Sequence, residues 1–425
     1  MRERTGLIRQ FRQSVRRGTG KAYLLIRDNS NLDYSAEIIK ACIKNFSYDG
    51  QCESSRAGYL YGLIKQSNKI QKIKNVILDA LQNEISDTWT LTQLFDLAKH
   101  FALDGDREAK EAIYSRFYNK IIHGSDWVGA YEIIELDGLP GLTYIADKMG
   151  ASILADPEDW QDDSLINKYN ETNKGHDGFK ELSGLRSKNK NIGAYLDSIT
   201  ETVSQRELNN RNDCWSTDIL EDIQKCKVLY GLIRRRGITE EEQITIANAF
   251  LSERDVKMKI KYLQVFTYIK FPLDSAIILH YAKKDGSPLK EYAIKALTFI
   301  TNDEIREFAL ENISAKRNPY EYTNILISNY KTNDNNLLLE LIEKTNNDFA
   351  IEELANSFVK IYTQNATREC QKPMEAAYRK MTCGLCRAKV IETLYKNNSL
   401  PDNIREEIQF DSNEDVKNIL NGTNE

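Results

Sequence analysis

Apolar residues recur at intervals of three and four along most of this chain, which is the spacing of an amphipathic helix. Leu289, Ala293, Ala296 and Ile300 follow this spacing, and the segment from 351 to 362 repeats it. No segment keeps the alternation of apolar and polar residues that is typical of a half-buried strand. The pattern predicts an all-α protein of roughly twenty helices, mostly about 10–18 residues long and joined by short polar turns.

Turn and capping residues mark where these helices begin. The chain has only seven prolines, and Pro288, Pro319 and Pro401 each stand just before a helical pattern. Proline is favoured there because its missing N–H would have no hydrogen-bond partner in the first turn anyway. Thr239 and Glu242 have the spacing of a capping box. These signals predict many helices with defined ends.

Two neighbouring segments resemble a known repeat family. Residues 289–297 (Leu-Lys-Glu-Tyr-Ala-Ile-Lys-Ala-Leu) and 302–310 (Asn-Asp-Glu-Ile-Arg-Glu-Phe-Ala-Leu) are amphipathic and separated by a short turn. Together they resemble a HEAT-type helical repeat, and the resemblance covers the chain from about Ser252 onward better than the part before it. It implies an α-α superhelix, a solenoid of stacked antiparallel helix pairs, with a concave face that binds another macromolecule.

A polar segment divides the chain into two predicted arrays. Residues 170–193 are rich in asparagine, lysine and glycine, and a strongly acidic stretch precedes them. We therefore predict an N-terminal helical array over residues 1–169, a loop or linker over 170–193, and a C-terminal HEAT-like array over 194–425. The sequence Leu-Tyr-Gly-Leu occurs at 60–63 and at 229–232, which is interpreted as an old duplication or as chance agreement.

Charge and cysteine content restrict the expected partners and compartment. The formal net charge is −5, which disfavours nucleic-acid binding over the whole surface because the phosphate backbone binds clustered Lys and Arg. The seven cysteines are odd in number and widely spaced, as expected for free thiols in a reducing compartment. No signal peptide and no apolar run near the ~18 residues of a membrane helix are visible. We expect a soluble cytoplasmic protein without a membrane span.

The motifs of common enzyme classes are missing from the sequence. It lacks HExxH, GxSxG and the dinucleotide-binding fingerprint. Residues 17–22 (Arg-Gly-Thr-Gly-Lys-Ala) superficially look like a phosphate loop, but the leading glycine and the Mg-binding Ser or Thr are absent, and a helix precedes them. A turn between two helices is the preferred interpretation. We predict no catalytic residue, no metal ligand and no cofactor.

Cys383 and Cys386 form a CxxC pair. A zinc site would need more ligands than this pair supplies, and a redox role would need a thioredoxin-like βαβ context. The preferred interpretation is two small buried hydrophobes, with metal and redox roles as the alternatives. The four histidines are scattered; His123 is interpreted as the end of a helix, and His176 beside Asp177 as a weak candidate for a catalytic pair.

Arginine clusters and one tryptophan are the candidate binding residues. Arginine suits phosphate and carboxylate because its planar fork binds two oxygens at once. The structural alternatives are the polar outer face of a terminal repeat, cations at a helix C-terminus and a solvated acidic turn. A predicted helix over residues 4–17 carries Arg9, Arg12, Arg16 and Arg17. A second cluster at a helix end consists of Arg234, Arg235 and Arg236. The tryptophan is Trp160, in the acidic run 156–163.

The sequence predicts a non-catalytic helical repeat protein that binds a protein partner as a scaffold, adaptor, inhibitor or regulator. The first alternative is a nucleic-acid-binding HEAT-like protein, similar to the HEAT-like DNA glycosylases, which requires both arginine clusters to converge on one face. The second alternative is an all-α enzyme whose site is assembled from distant residues. A deep pocket with two carboxylates, or a carboxylate beside His123 or His176, would support it.

Overall fold

Helices make up 72% of the computed structural model. The structure describes residues 2–53, 55–120, 125, 127–156, 161–209, 215–226, 229–315 and 319–421, and these ranges contain no strand. The predicted all-α class is confirmed. The described ranges hold 28 α-helices, more than the roughly twenty predicted, since many of them have only four to eight residues. None of the described helices combines the length and apolarity needed to cross a bilayer.

The helices are named in chain order. The first thirteen are α1 (Arg2–Arg17), α2 (Lys21–Asp28), α3 (Ser35–Cys42), α4 (Gly50–Glu53), α5 (Ala57–Gln66), α6 (Ile70–Asn83), α7 (Thr88–Leu103), α8 (Arg107–Arg116), α9 (Ala130–Asp137), α10 (Leu139–Ala155), α11 (Ser164–Thr172), α12 (Gly178–Ser183) and α13 (Lys190–Asn209).

The remaining helices include three short 3-10 helices. They are α14 (Ile219–Lys225), α15 (Leu229–Arg235), α16 (Glu240–Ser252), α17 (Val256–Val265), α18 (Ala276–Lys283), α19 (Lys290–Leu297), α20 (Asp303–Ala315), α21 (Tyr320–Thr323), α22 (Leu326–Asn329), α23 (Asp334–Lys344), α24 (Asp348–Gln364), η1 (Arg368–Cys370), α25 (Gln371–Lys380), α26 (Gly384–Lys396), α27 (Asp402–Glu407), η2 (Ile408–Phe410), α28 (Glu414–Asn418) and η3 (Ile419–Asn421).

The chain divides into two compact units. The first consists of Met1–Asn212 with Glu406–Asn418, and the second of Asp213–Arg405 with Ile419–Glu425. The boundaries predicted from the sequence, with a linker over 170–193, stay a prediction. Within that segment the structure places the whole of α12 and the start of α13.

In the first unit, helices pack mainly on neighbours one to three places along the chain. Thus α3 packs on α1, α5 and α6, while α7 packs on α5, α6, α8 and α9. A continuous core of buried apolar side chains runs from Phe11 in α1 to Ile199 in α13. Helix starts are capped by acidic side chains: Asp87 accepts the N–H groups of Trp89 and Thr90 at the start of α7. Such caps satisfy donors that have no partner within the helix.

Residues 406–418 belong to the first unit because they pack on its first two helices. The backbone N–H of Ser412 donates to the carbonyl of Gly18 at 2.8 Å. The ring of Phe410 stacks on Tyr23, with centroids 5.4 Å apart. The first unit is thus built from residues near both ends of the sequence.

The glycines of the phosphate-loop look-alike have a packing role at this contact. Within residues 17–22, positions 18–20 form a turn between α1 and α2, as the sequence predicted. Gly18 has a φ of +74°, and a Cβ atom at Gly20 would overlap the backbone carbonyl of Glu407. Glycine is needed here because the backbone of residues 406–418 comes too close for a side chain.

In the second unit, alternate helices pack on one another in chain order. In one series α15 packs on α17, α17 on α19, α19 on α21, α21 and α22 on α24, and α24 on α26. The intervening helices pack beside this series: α16 on α17, α18 on α19, α20 on α21 and α22, and α25 on α24 and α26. The predicted capping box of Thr239 and Glu242 is confirmed at the start of α16.

Three asparagines, which we call the asparagine ladder, join the ends of successive helices in this series. Each side-chain amide donates one hydrogen bond to the carbonyl four residues earlier and a second to a carbonyl of the preceding helix or the turn that follows it. The second acceptors lie in the last turn of a helix or just after it, where carbonyls have no partner within the helix. The donors are Asn329, Asn365 and Asn397, and the second acceptors are Ile300, Ile327 and Tyr362, at 2.8, 2.9 and 3.2 Å.

Two lysines provide a second recurring arrangement. The Nζ of Lys261 donates to three carbonyls at the end of α14, which lie 38, 37 and 35 residues earlier in the chain. The Nζ of Lys380 donates to three carbonyls at the end of α23 with the same three separations. A cation is favoured at a helix C-terminus by the helix dipole. The same contact therefore recurs between two different helix pairs of this unit.

Candidate functional site: an aromatic groove in the second unit

A groove with a volume of about 1010 Å³ lies in the second unit. Its walls come from α15, α17, α19, α21, α22 and α24, which are successive members of the series described above. One long groove lined by so many helices follows from their packing side by side. We call it the aromatic groove because six aromatic side chains line it: Tyr230, Tyr268, Tyr292, Phe299, Tyr320 and Phe349.

Four of these rings are unusually exposed. The exposed fractions are 49% for Tyr230, 45% for Tyr268, 37% for Phe299 and 53% for Phe349. The rings of Tyr230 and Tyr268 lie 5.8 Å apart, and those of Tyr320 and Phe349 lie 6.0 Å apart. Single exposed apolar residues are ordinary on a protein surface, whereas several in one concavity mark a surface suited to binding.

The polar residues of the aromatic groove carry both signs of charge. Lys295 forms an ion pair with Glu291 at 2.5 Å, while Lys360 is exposed and pairs with no described residue. Burial raises the pKa of the Glu321 carboxyl, and the negative charge of Glu291 raises it further. The Oδ1 atom of Asn324 is buried without a hydrogen-bond partner among the described residues. The groove therefore offers apolar surface, a free cation and an unused acceptor.

The first predicted arginine cluster lies on α1. Arg9 and Arg16 are exposed, and the Nε of Arg17 donates to a carbonyl of its own helix at 3.2 Å. Arg12 makes two hydrogen bonds of 2.8 Å to Glu37, a carboxylate that is only 8% exposed. Binding an outside anion through Arg12 would therefore compete with a structural ion pair.

The second predicted cluster lies at the end of α15. Arg236 is held between Asp222 at 3.0 Å and Glu242 at 2.8 Å, whereas Arg235 is exposed. Arg234 donates to the hydroxyl of Tyr230 at 3.3 Å, which brings this arginine to a residue of the aromatic groove. The two arginine clusters belong to different units, and their convergence on one face stays a prediction.

Two other sequence candidates fall outside the described residues, namely Trp160 and His123. His176 is described, and its Nδ1 lies 2.7 Å from Oε1 of Glu181. A carboxylate beside His176 is the feature that would support an all-α enzyme. The His176 side chain is 59% exposed, however, and a solvated pair of this kind is ordinary surface electrostatics.

The CxxC pair lies beside a buried carboxylate that the sequence analysis missed. Cys383 is the N-cap residue of α26, and Cys386 is in its first turn. Glu352, in α24, is 3% exposed. One oxygen of its carboxylate and the sulfur atoms of the two cysteines all lie within 4.8 Å of one another. The signal in the sequence was a glutamate inside the apolar pattern that begins at Ile351.

Searches of protein-family models, curated proteins and solved structures find no match to this chain. The interpretation of the aromatic groove therefore depends on its own residues.

Proposed function

We propose that the second unit is a HEAT-like α-solenoid whose aromatic groove binds an amphipathic helix of a partner protein. In this role the chain is a scaffold, adaptor, inhibitor or regulator without catalytic activity. The observation that carries the proposal is the row of exposed aromatic rings along a single groove.

The solenoid part of the proposal is supported by recurrence. Helices of one series pack in chain order, and the asparagine ladder repeats the same pair of hydrogen bonds at three successive helix ends. Lys261 and Lys380 repeat a second contact with identical separations. In a solenoid each unit contacts only its neighbours, so contacts recur along the stack in this way.

The choice of a helix as the bound element is supported by the size and chemistry of the groove. About 1010 Å³ is at the upper end of small-molecule sites, which occupy roughly 300–1,000 Å³. An amphipathic helix laid in a groove places residues i, i+3, i+4 and i+7 on an apolar floor. Tyrosine is among the residues that contribute most to such interfaces, because its ring packs while its hydroxyl stays hydrated.

A protein partner is favoured over a nucleic acid by the charges. Lys295 is already paired with Glu291, and Glu321 and Glu353 add negative groups to the same groove. Phosphate binding rewards several free cations arranged along one path. The mixed charges of the aromatic groove instead match the polar rim of a protein interface.

The location of the partner can be tested by cross-linking in the native cells. A photo-reactive phenylalanine analogue is placed at Tyr268, at Phe349 and, as a control, at Phe179, which is 38% exposed in the first unit. We expect one protein to be cross-linked at both groove positions through a segment with helical apolar spacing, and not at position 179. Cross-links to nucleic acid, or to unrelated proteins at the two groove positions, would contradict the proposal.

The energetic contribution of the groove can then be measured with that partner. Tyr268→Ala and Phe349→Ala should each weaken binding by about tenfold or more, since truncating a central aromatic costs roughly 2 kcal/mol. Phe179→Ala should leave the dissociation constant within about twofold. Because the three side chains are all exposed, none of the changes should alter the unfolding free energy much. Equal affinity of the two groove variants and the wild type would show that the partner binds elsewhere.

A further inference from the structure

Three potential metal ligands from two helices of the second unit meet at the start of α26. Because Cys383 is the N-cap residue, its Sγ atom accepts the backbone N–H of Cys386, at 3.4 Å. Both sulfur atoms therefore lie near the first turn of the helix. The third group, Glu352, is fixed by α24: its Oε1 accepts the N–H groups of Thr382 at 2.9 Å and Cys383 at 3.0 Å.

The second carboxylate oxygen of Glu352 has an unusual environment. Oε2 is buried and accepts from no N–H or O–H group of the described residues, in a side chain only 3% exposed; the Cys386 thiol is the one side chain that hydrogen-bonds to this carboxylate there. A buried polar atom without a partner is costly, more so when it carries charge. The two nearby sulfur atoms are at best weak hydrogen-bond donors. A bound cation would be a far stronger partner for this oxygen than a thiol proton.

We propose that Glu352, Cys383 and Cys386 bind a zinc ion, with a water molecule as the fourth ligand. Tetrahedral zinc with Zn–S near 2.3 Å and Zn–O near 2.0 Å places the sulfurs about 3.8 Å apart and each sulfur about 3.5 Å from the oxygen. The three atoms already lie within 4.8 Å of one another, so side-chain movements of about 1 Å complete the geometry. Two sulfurs with one carboxylate suit zinc, whereas magnesium and calcium prefer oxygen ligands alone.

The charge of the surroundings is compatible with this ion. Arg387 follows Cys386 directly and is fully buried, at 0% exposure. Its guanidinium donates to the carbonyl of Thr382 at 3.5 Å, next to the Cys383 ligand. A buried cation at this place offsets part of the negative charge of two thiolates and a carboxylate, as the zinc ion would.

The same geometry disfavours a thiol–disulfide redox pair. Redox-active cysteines at a helix start depend on surroundings that stabilise a thiolate, such as cationic groups or the helix dipole. Both sulfurs do lie at a helix start, but the negative charge of a carboxylate beside them works against that dipole. A bound divalent cation would instead stabilise two thiolates and the carboxylate together.

The test uses the full-length chain, reduced and freed of metal with a chelator, and titrated with zinc alone. We expect one zinc ion per chain with a dissociation constant below about 100 nM, within the range of cysteine-containing zinc sites. Cobalt(II) in place of zinc should show the charge-transfer absorption of two thiolate ligands. Binding weaker than about 10 µM, or a cobalt complex without thiolate absorption, would overturn the proposal.

Variants identify the ligands. Glu352→Gln keeps an oxygen that can accept the two backbone N–H groups but removes the charge, and it should weaken zinc binding by at least about tenfold. Cys386→Ser should do the same, while Cys52→Ser, at an exposed cysteine of the first unit, should have no effect. If Cys386→Ser does not fold, Glu352→Gln decides: wild-type affinity in that variant refutes the site. A reduced chain that binds no zinc but readily forms a Cys383–Cys386 disulfide would show a redox pair instead.

Discussion

Glu132 in the first unit makes the stability of this protein depend on pH in a direction opposite to that of most carboxylates. The side chain lies in α9 and is 8% exposed. Its pKa is raised from 4.5 to about 7: burial is the largest cause, the charge of Asp96 adds to it, and that of Lys99 opposes it. The folded protein thus keeps a proton on this carboxyl at pH values where the unfolded chain has lost it.

The size of the effect follows from the two pKa values. Stability from this group is fully present below pH 4.5 and is lost as the pH rises through 7, because over that range the folded state binds more protons than the unfolded state. The folded and unfolded pKa values differ by about 2.5, which corresponds to about 3 kcal/mol of stability in total. About 2.5 kcal/mol of this is lost between pH 5 and pH 8. Glu132→Gln removes this titrating group. The unfolding free energy of the variant, relative to that of the wild type at the same pH, should therefore rise by about 2.5 kcal/mol between pH 5 and pH 8.

Urea unfolding of wild type and Glu132→Gln at pH 5 and pH 8 measures this difference directly. The matched control is Glu135→Gln in the same helix. Burial raises the Glu135 pKa too, but hydrogen bonds from Lys168 and Lys99 outweigh it and leave the pKa lowered. That stabilisation is present above pH 4.5 and lost only at lower pH, so the control should be destabilised almost equally at pH 5 and pH 8. A stability gain for Glu132→Gln that is the same at both pH values would refute the reasoning.

Two further changes test the packing of each unit. Asn329→Ala removes an amide that donates to two carbonyls at 2.8 and 3.0 Å, and it should lower the unfolding free energy measured in urea by about 2–3 kcal/mol. The control Asn312→Ala breaks one hydrogen bond within its own helix and should cost about 1 kcal/mol or less. Equal losses in the two variants would show that the asparagine ladder adds no stability. Gly20→Ala should displace residues 406–418 and speed their hydrogen exchange, whereas Gly6→Ala, with open space around it, should not; unchanged exchange in Gly20→Ala would contradict the close contact.

The helices could be predicted because their information is local. Apolar spacing and capping residues act within a few positions, so the all-α class and the capping box at Thr239 follow from the sequence. The partners of a helix end are not local. Nothing near Asn365 shows that its amide reaches the carbonyl of Ile327, since that contact depends on how one helix pair stacks on the next.

The candidate site was harder to predict for a related reason. A tyrosine on an amphipathic helix has the same sequence pattern whether it lines a core or a groove, and only the order of packing separates Tyr268, 45% exposed, from Tyr262, 3% exposed. Cys383 and Cys386 were visible as a pair, but the carboxylate that completes their cluster comes from another helix. Arg12 and Arg236 looked available for binding because their carboxylate partners are distant or in a different helix.

The packing of residues 406–418 on the first two helices has a consequence for how the chain folds during synthesis. The turn at Gly18 is made before its hydrogen-bond donor, Ser412, which lies almost 400 residues further along the chain. A contact between such distant positions closes a very large loop and forms slowly. Until then the surface around Tyr23 that Phe410 covers is open to solvent and to chaperones. Any shortened chain that lacks residues 406–418 would keep that surface uncovered permanently.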